Sequence, residues 1–105
     1  MQHLRVGLYV LSGGTTEEVI ERVRSTGGML EVFQAQPGFV AYGVATTEDE
    51  FLISISIWES AEQADAATLV AAEWVSEHLA DRVELQDDFI GDLAFLAQAK
   101  LDTAR

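Results

Sequence analysis

The chain has 105 residues, 49% of them hydrophobic, no cysteine, and a formal net charge of -12 from 18 acidic and 6 basic side chains. That length and apolar content predict one domain with a real core, and no apolar run is long enough to span a bilayer. The negative charge repels phosphate backbones and anionic lipid surfaces, so neither nucleic acid nor membrane is an expected partner, and the lack of cysteine excludes disulfides and thiolate metal sites.

The chain opens Met-Gln-His-Leu-Arg-Val and runs straight into a strand pattern without a charged and then apolar leader, so a cytoplasmic location is expected. Leu4, Val6, Leu8 and Val10 alternate with His3, Arg5, Gly7, Tyr9 and Leu11, which predicts a first strand with one uniformly apolar side. Gly13 and Gly14 end it. Thr15 to Glu18 has the form of a capping box, and Val19, Ile20 and Val23 continue at helical spacing. Met29, Leu30 and Phe33 carry the helical pattern further, with Gly27 and Gly28 as a break, so the first helical segment is expected in one or two pieces.

Pro37 and Gly38 form a turn before a second strand over residues 39–45, and the polar stretch 46–50 makes the hairpin to a third. That third strand, residues 51–58, reads FLISISIW: Phe51, Ile53, Ile55 and Ile57 point to one side, and Leu52, Ser54, Ser56 and Trp58 to the other. Ser60 and Gln63 form a second capping box, opening an Ala-rich helical stretch that runs to about residue 83, either kinked or in two helices. A last strand is expected over residues 89–97, followed by a poorly anchored tail.

The order strand, helix, strand, strand, helix, strand is the α+β, ferredoxin-like βαββαβ arrangement: a four-stranded antiparallel sheet with its helices on one face. The other face is then bare. The expected occupants of that bare face are Tyr9, Leu11, Leu52 and Trp58 with Val40, Tyr42 and Val44 or their alternates, a patch larger than a soluble monomer usually exposes. A second copy packed sheet to sheet about a two-fold axis is the simplest cover, with a semi-polar chamber between sheet and helices, so a homodimer is expected.

The turn Pro37-Gly38-Phe39 followed by Tyr42, then Ser54-Ile55-Ser56-Ile57-Trp58-Glu59-Ser60 and the Ala-rich helix, resembles the antibiotic biosynthesis monooxygenase family of dimeric α/β barrels. The resemblance covers nearly the whole chain and rests on marks of the fold rather than of an activity. It implies a cofactor-independent monooxygenase acting on a small aromatic, quinol or polyketide-like molecule, with no cofactor and no metal. In such chemistry the substrate must itself become an electron-rich anion that reduces dioxygen. The protein then supplies a base, donors for the anion and a dry pocket. On the mixed strand faces Arg5 is the candidate to hold the anion, and Asp92, or His78 on the second helix, to take the proton. Tyr9 and Trp58 are placed to stack on a ring, with Tyr42, Ser54 and Ser56 as further chamber-lining candidates.

Each assignment competes with a structural one. Trp58 fills cores more often than it serves chemistry; His78 lies among Glu77, Asp81 and Arg82; an Asp92 at a sheet edge protects against edge pairing; a carboxylate across the strands from Arg5 makes the arginine structural. His3 reads as a surface residue, Glu17, Glu18 and Glu21 as a solvated helix face, and Trp74 and Phe89 as core or dimer packing. Haem degradation, another activity in the family, uses an asparagine on the first strand, and this chain has no asparagine. Its Trp74 and His78 are also closer together than that branch requires. A non-catalytic barrel that binds a small hydrophobic metabolite between Tyr9, Tyr42 and Trp58 is the alternative.

Overall fold

The structure, a computed structural model, describes residues 1–98. Its elements are β1 (His3–Leu11), α1 (Thr16–Arg24), α2 (Met29–Gln34), β2 (Phe39–Thr46), β3 (Phe51–Trp58), α3 (Ala61–His78) and β4 (Val83–Asp92). The strands form one sheet in the order β2-β3-β1-β4, each neighbouring pair antiparallel. This is the expected ferredoxin-like βαββαβ fold, with its first helical segment in two pieces.

Local chemistry explains most of the boundaries. The Thr15 hydroxyl accepts from the Glu18 amide at 3.2 Å and the Ser60 hydroxyl from the Gln63 amide at 3.3 Å, so both predicted caps start helices. Gly28 lies against the end of α1, where a Cβ would sit 2.4 Å from the carbonyl oxygens of Arg22 and Val23; only glycine allows α2 to turn away there. Gly38 has φ 81°, and the Gln63 side chain packs over it, which ties the start of α3 to the turn before β2.

Three expectations are corrected. The second long helix is a single α3 that stops at His78 rather than running to residue 83. Leu79 and Val83 are four apart and both buried, which mimics helical spacing, but the Arg82 and Val83 amides bond back to the Leu79 carbonyl at 2.9 and 3.0 Å and reverse the chain. The last strand therefore begins at Val83, opposite Leu11, and ends at Asp92, opposite His3, instead of spanning residues 89–97. Beyond Asp92 there is no more β1 to pair with: the Leu93 amide still reaches the Gln2 carbonyl at 2.9 Å, and Phe95 is exposed. Of the expected loose tail, residues 99–105 lie outside the described residues.

The third correction concerns the sheet faces, which are reversed. Trp58 has no exposed surface and Leu52 is 3% exposed, and both belong to the core with Val19, Val23, Met29, Phe33 and Trp74; Tyr9, Leu11, Tyr42 and Val44 pack against that core. The mixed face therefore lies under the helices, where Phe33 of α2 docks on Trp58, meeting it edge-on at 5.2 Å. The bare face carries the uniformly aliphatic side, Leu4, Val6, Leu8 and Val10 on β1 with Phe51, Ile53, Ile55 and Ile57 on β3, paired across the strands.

Candidate functional site

Helix α3 packs over β1 and β3 and leaves the helix-side face of β4 uncovered, with Leu85 and Ile90 about half exposed. The gap is a cleft of about 310 Å³ whose floor is β1 and β3 and whose far wall is α3. Its polar end is built around Arg5. The guanidinium donates to the Thr68 hydroxyl on α3, which in turn donates to the Ala64 carbonyl at 2.8 Å, and lies 3.4 Å from Asp88 on β4. Among the described residues, Arg5 is the only cationic side chain lining the cleft, in a chain of net charge -12. Its partnership with Asp88 is the cross-strand pairing that also gives the arginine a structural role.

The rest of the cleft is aromatic and small: Tyr9, Phe33 and Trp58 with Ser54, Ser56 and the alanines of α3. Trp58 donates its indole N–H to the Ser56 hydroxyl at 3.0 Å, so a fully buried polar group is satisfied and the ring orientation is fixed. Phe33 stands edge-on to both Tyr42 and Trp58, at 4.8 and 5.2 Å. Burial pushes the Tyr42 phenol up to about 12, against the opposing effect of its hydrogen bond with Ser54. Burial raises Tyr9 as well, with Arg5 pulling the other way. Both phenols stay neutral at ordinary pH and act as hydrogen-bond donors, not as bases.

Of the residues singled out in the sequence, Arg5, Tyr9, Ser54, Ser56 and Trp58 come together in this cleft. Tyr42 lines a smaller void of about 50 Å³ deeper under the helices, which shares Tyr9, Phe33, Ser54, Ala71 and Val75 with the cleft. His78 and Asp92 are elsewhere. His78 sits half exposed at the end of α3, its ring tilted against Trp74 at 4.8 Å, and Asp92 closes the last rung of the β1–β4 ladder.

Two residues were missed. Asp88, not Asp92, is the carboxylate of the cleft, because β4 pairs with β1 from Val83 onward and brings Asp88 opposite Gly7. His3, expected at the surface, is 7% exposed; its Nδ1 lies 3.0 Å from Asp92, and its Nε2 is the one buried side-chain N or O atom without a hydrogen-bond partner among the described residues. The signal was available: His3 alternates in phase with Arg5 and Tyr9, and so belongs to the covered face. No group of histidine and carboxylate side chains suited to a metal ion occurs among the described residues, and no helix among them is long and apolar enough to cross a membrane.

No protein-family model and no curated protein matches the sequence. Solved structures do match the fold. A proposed antibiotic biosynthesis monooxygenase from Chloroflexus aurantiacus superposes with a TM-score of 0.70 over 93% of this chain and 98% of its own, at 14% identity. SnoaB, a cofactor-independent oxygenase from Streptomyces nogalater, gives 0.64 over 95% and 96%, at 19% identity. A further proposed antibiotic biosynthesis monooxygenase, from Bacillus cereus, gives 0.63 over 97% and 100%, at 18% identity. The chain shares the fold of these structures over 93% to 97% of its length. At such identities the likeness establishes architecture, and the chemistry has to be argued from the cleft.

Proposed function

We propose that this chain is a cofactor-independent monooxygenase for a small phenolic or quinol-like aromatic, working as a homodimer whose subunits meet through the bare sheet face. The observation that carries the reading is the composition of the cleft: one cation and one carboxylate at the mouth of an otherwise aromatic, largely apolar space. A flat ring fits against Tyr9 and the alanines of α3, above the buried Trp58 and Phe33, with its hydroxyl toward Arg5. Asp88 takes the phenol proton, and the guanidinium holds the phenolate, whose negative charge makes the ring able to reduce dioxygen. For a phenol with hydrogen para to the hydroxyl, the balance is phenol plus dioxygen to quinone plus water. The ring is oxidised by four electrons, two through the new carbon–oxygen bond and two with the two hydrogens it gives up, and dioxygen takes all four, one of its atoms staying on the ring and the other leaving as water. SnoaB supports this reading as a cofactor-independent oxygenase of the same fold.

The experiment is oxygen uptake by purified, metal-stripped protein across a panel of phenols, quinols and hydroxynaphthoquinones, with ligand binding measured in parallel. Uptake that depends on both Arg5 and Asp88 is expected; no uptake with any compound sinks the enzymatic reading. A second reading, a barrel that binds a small hydrophobic metabolite without turnover, is favoured by the pairing of Arg5 with Asp88 and Thr68, which occupies the guanidinium. Binding without oxygen uptake would select it.

A further inference from the structure

Beneath the cleft lies the second void, about 50 Å³, between the sheet and the inner faces of α1, α2 and α3. Its own walls, not shared with the cleft, include Val19, Val23, Met29, Val44, Leu52 and Leu79. Of the polar groups that border it, Trp74 donates its indole N–H to the Gly27 carbonyl at 3.0 Å, and the hydroxyl-bearing Tyr9, Tyr42 and Ser54 come from the sheet. Tyr9 lies over Gly7, its Cε2 2.9 Å and its hydroxyl oxygen 3.5 Å from where a Gly7 Cβ would be, and Gly7 lines only the outer cleft. The polar end of that ring therefore leans toward the cleft, and the ring borders both spaces.

A water-sized molecule needs roughly 10–15 Å³ of such volume, and a buried water needs two to four polar partners; the void is roomy enough, but its aliphatic part, walled by Val19, Val23, Met29, Val44, Leu52 and Leu79, offers a water none. An apolar space that repels water attracts small apolar molecules. We propose that this inner void is a binding site for a small apolar gas molecule, and that in the reaction proposed above, on which this assignment of the occupant rests, the molecule is dioxygen. Held there, it sits beside the shared residues Tyr9, Phe33 and Ser54, next to a substrate in the cleft that it must reach for the carbon–oxygen bond to form, in surroundings that favour the neutral gas over water. The arrangement separates the two reactants by polarity: the anionic ring goes to Arg5 and the gas to the aliphatic end.

Xenon, an apolar gas, is the probe. Xenon-saturated protein should show methyl shifts centred on the void's own walls, Val19, Val23, Met29, Val44, Leu52 and Leu79, or xenon density in the void of pressurised crystals. Val44→Phe should fill the space and abolish the effect, with Val44→Leu as a milder filling that reduces it if the larger ring prevents folding. In an active enzyme either substitution should raise the KM for dioxygen, by about fivefold for the larger one, while the affinity for the aromatic ligand in the cleft stays unchanged. Absence of xenon from the void of the wild-type protein, or xenon binding that survives unchanged in a folded Val44→Phe protein, overturns the assignment. Xenon in the void together with no oxygen uptake for any substrate leaves the gas site standing and removes the oxygenase reading instead.

Discussion

Arg5 on β1 and Asp88 on β4 meet at 3.4 Å, two register positions apart, with the Asp88 side chain about half exposed and that of Arg5 largely covered. The pair spans the open side of the cleft, so the arginine is held in place by a carboxylate that water can reach. An exposed carboxylate in such a pair contributes little to stability. Its weight falls on what enters the cleft.

Substitution should separate the two charges. Arg5→Ala is expected to weaken binding of a phenolate-forming ligand by about ten- to a hundredfold, the range for a lost charge-assisted hydrogen bond. Asp88→Asn frees the guanidinium and should leave binding equal or tighter, while turnover falls because the base is gone. Titration calorimetry beside oxygen-uptake rates reads both. Equal loss of binding in the two variants would mean that the pair acts as one structural unit.

The open face makes a second prediction, about assembly. Ile55 is 37% exposed in the isolated chain and lies among Val6, Ile53 and Ile57 on the aliphatic side of the sheet. Ile55→Asp should leave the fold intact and convert the proposed dimer to monomer, since a charge at an apolar interface must be desolvated to stay there. Leu52→Asp, one face over and buried under the helices, should instead unfold the chain. Sedimentation velocity with circular dichroism distinguishes these outcomes. A dimer that survives Ile55→Asp would place the interface elsewhere.

How far the sequence reached depended on whether a feature was local. The caps at Thr15 and Ser60, the break at Gly28 and the turn at Gly38 are set by neighbours within a few residues, and the element order followed from them. The end of α3 was not legible, because Leu79 and Val83 satisfy a helical and a strand assignment equally well, and the choice is made by pairing with Leu11 far away in the chain. The covered face of the sheet was misread for a related reason. Both sides of β3 are apolar enough to be buried, and what decides is the docking of Phe33 on Trp58. Strand alternation nevertheless grouped Arg5, Tyr9, Ser54, Ser56 and Trp58 on one side, so the cleft was legible as a set of residues before its location was. Asp88 was lost with the start of β4.

Trp58 and Ser56 should prove to be energetic partners. Trp58→Ala empties the largest fully buried side chain and is expected to cost about 3–5 kcal/mol. Ser56→Ala keeps the ring but strands its indole N–H, at a cost of about 1–3 kcal/mol. Urea denaturation of the single and double variants should give a double-variant loss smaller than the sum, because Ser56 has nothing to satisfy once the indole is gone. Strict additivity would show that the hydrogen bond contributes nothing.

Tyr42 predicts how stability changes in alkali. Its folded pKa, raised to about 12 from 10.0, means that the native state keeps the phenol proton after the unfolded chain has begun to lose it. Where the folded state binds more protons, stability falls as pH rises. The stabilisation is thus complete below pH 10 and is lost between about pH 10 and 12. Burial raises Tyr9 in the same direction and adds to the same slope. At about 1.4 kcal/mol for each pH unit, the loss attributable to Tyr42 is on the order of 1–3 kcal/mol. Denaturant midpoints measured at pH 9 and again near pH 11.5 should drop markedly for the wild-type protein and less for Tyr42→Phe. An equal drop in both would mean that the Tyr42 phenol is as free to ionise in the folded chain as in the unfolded one.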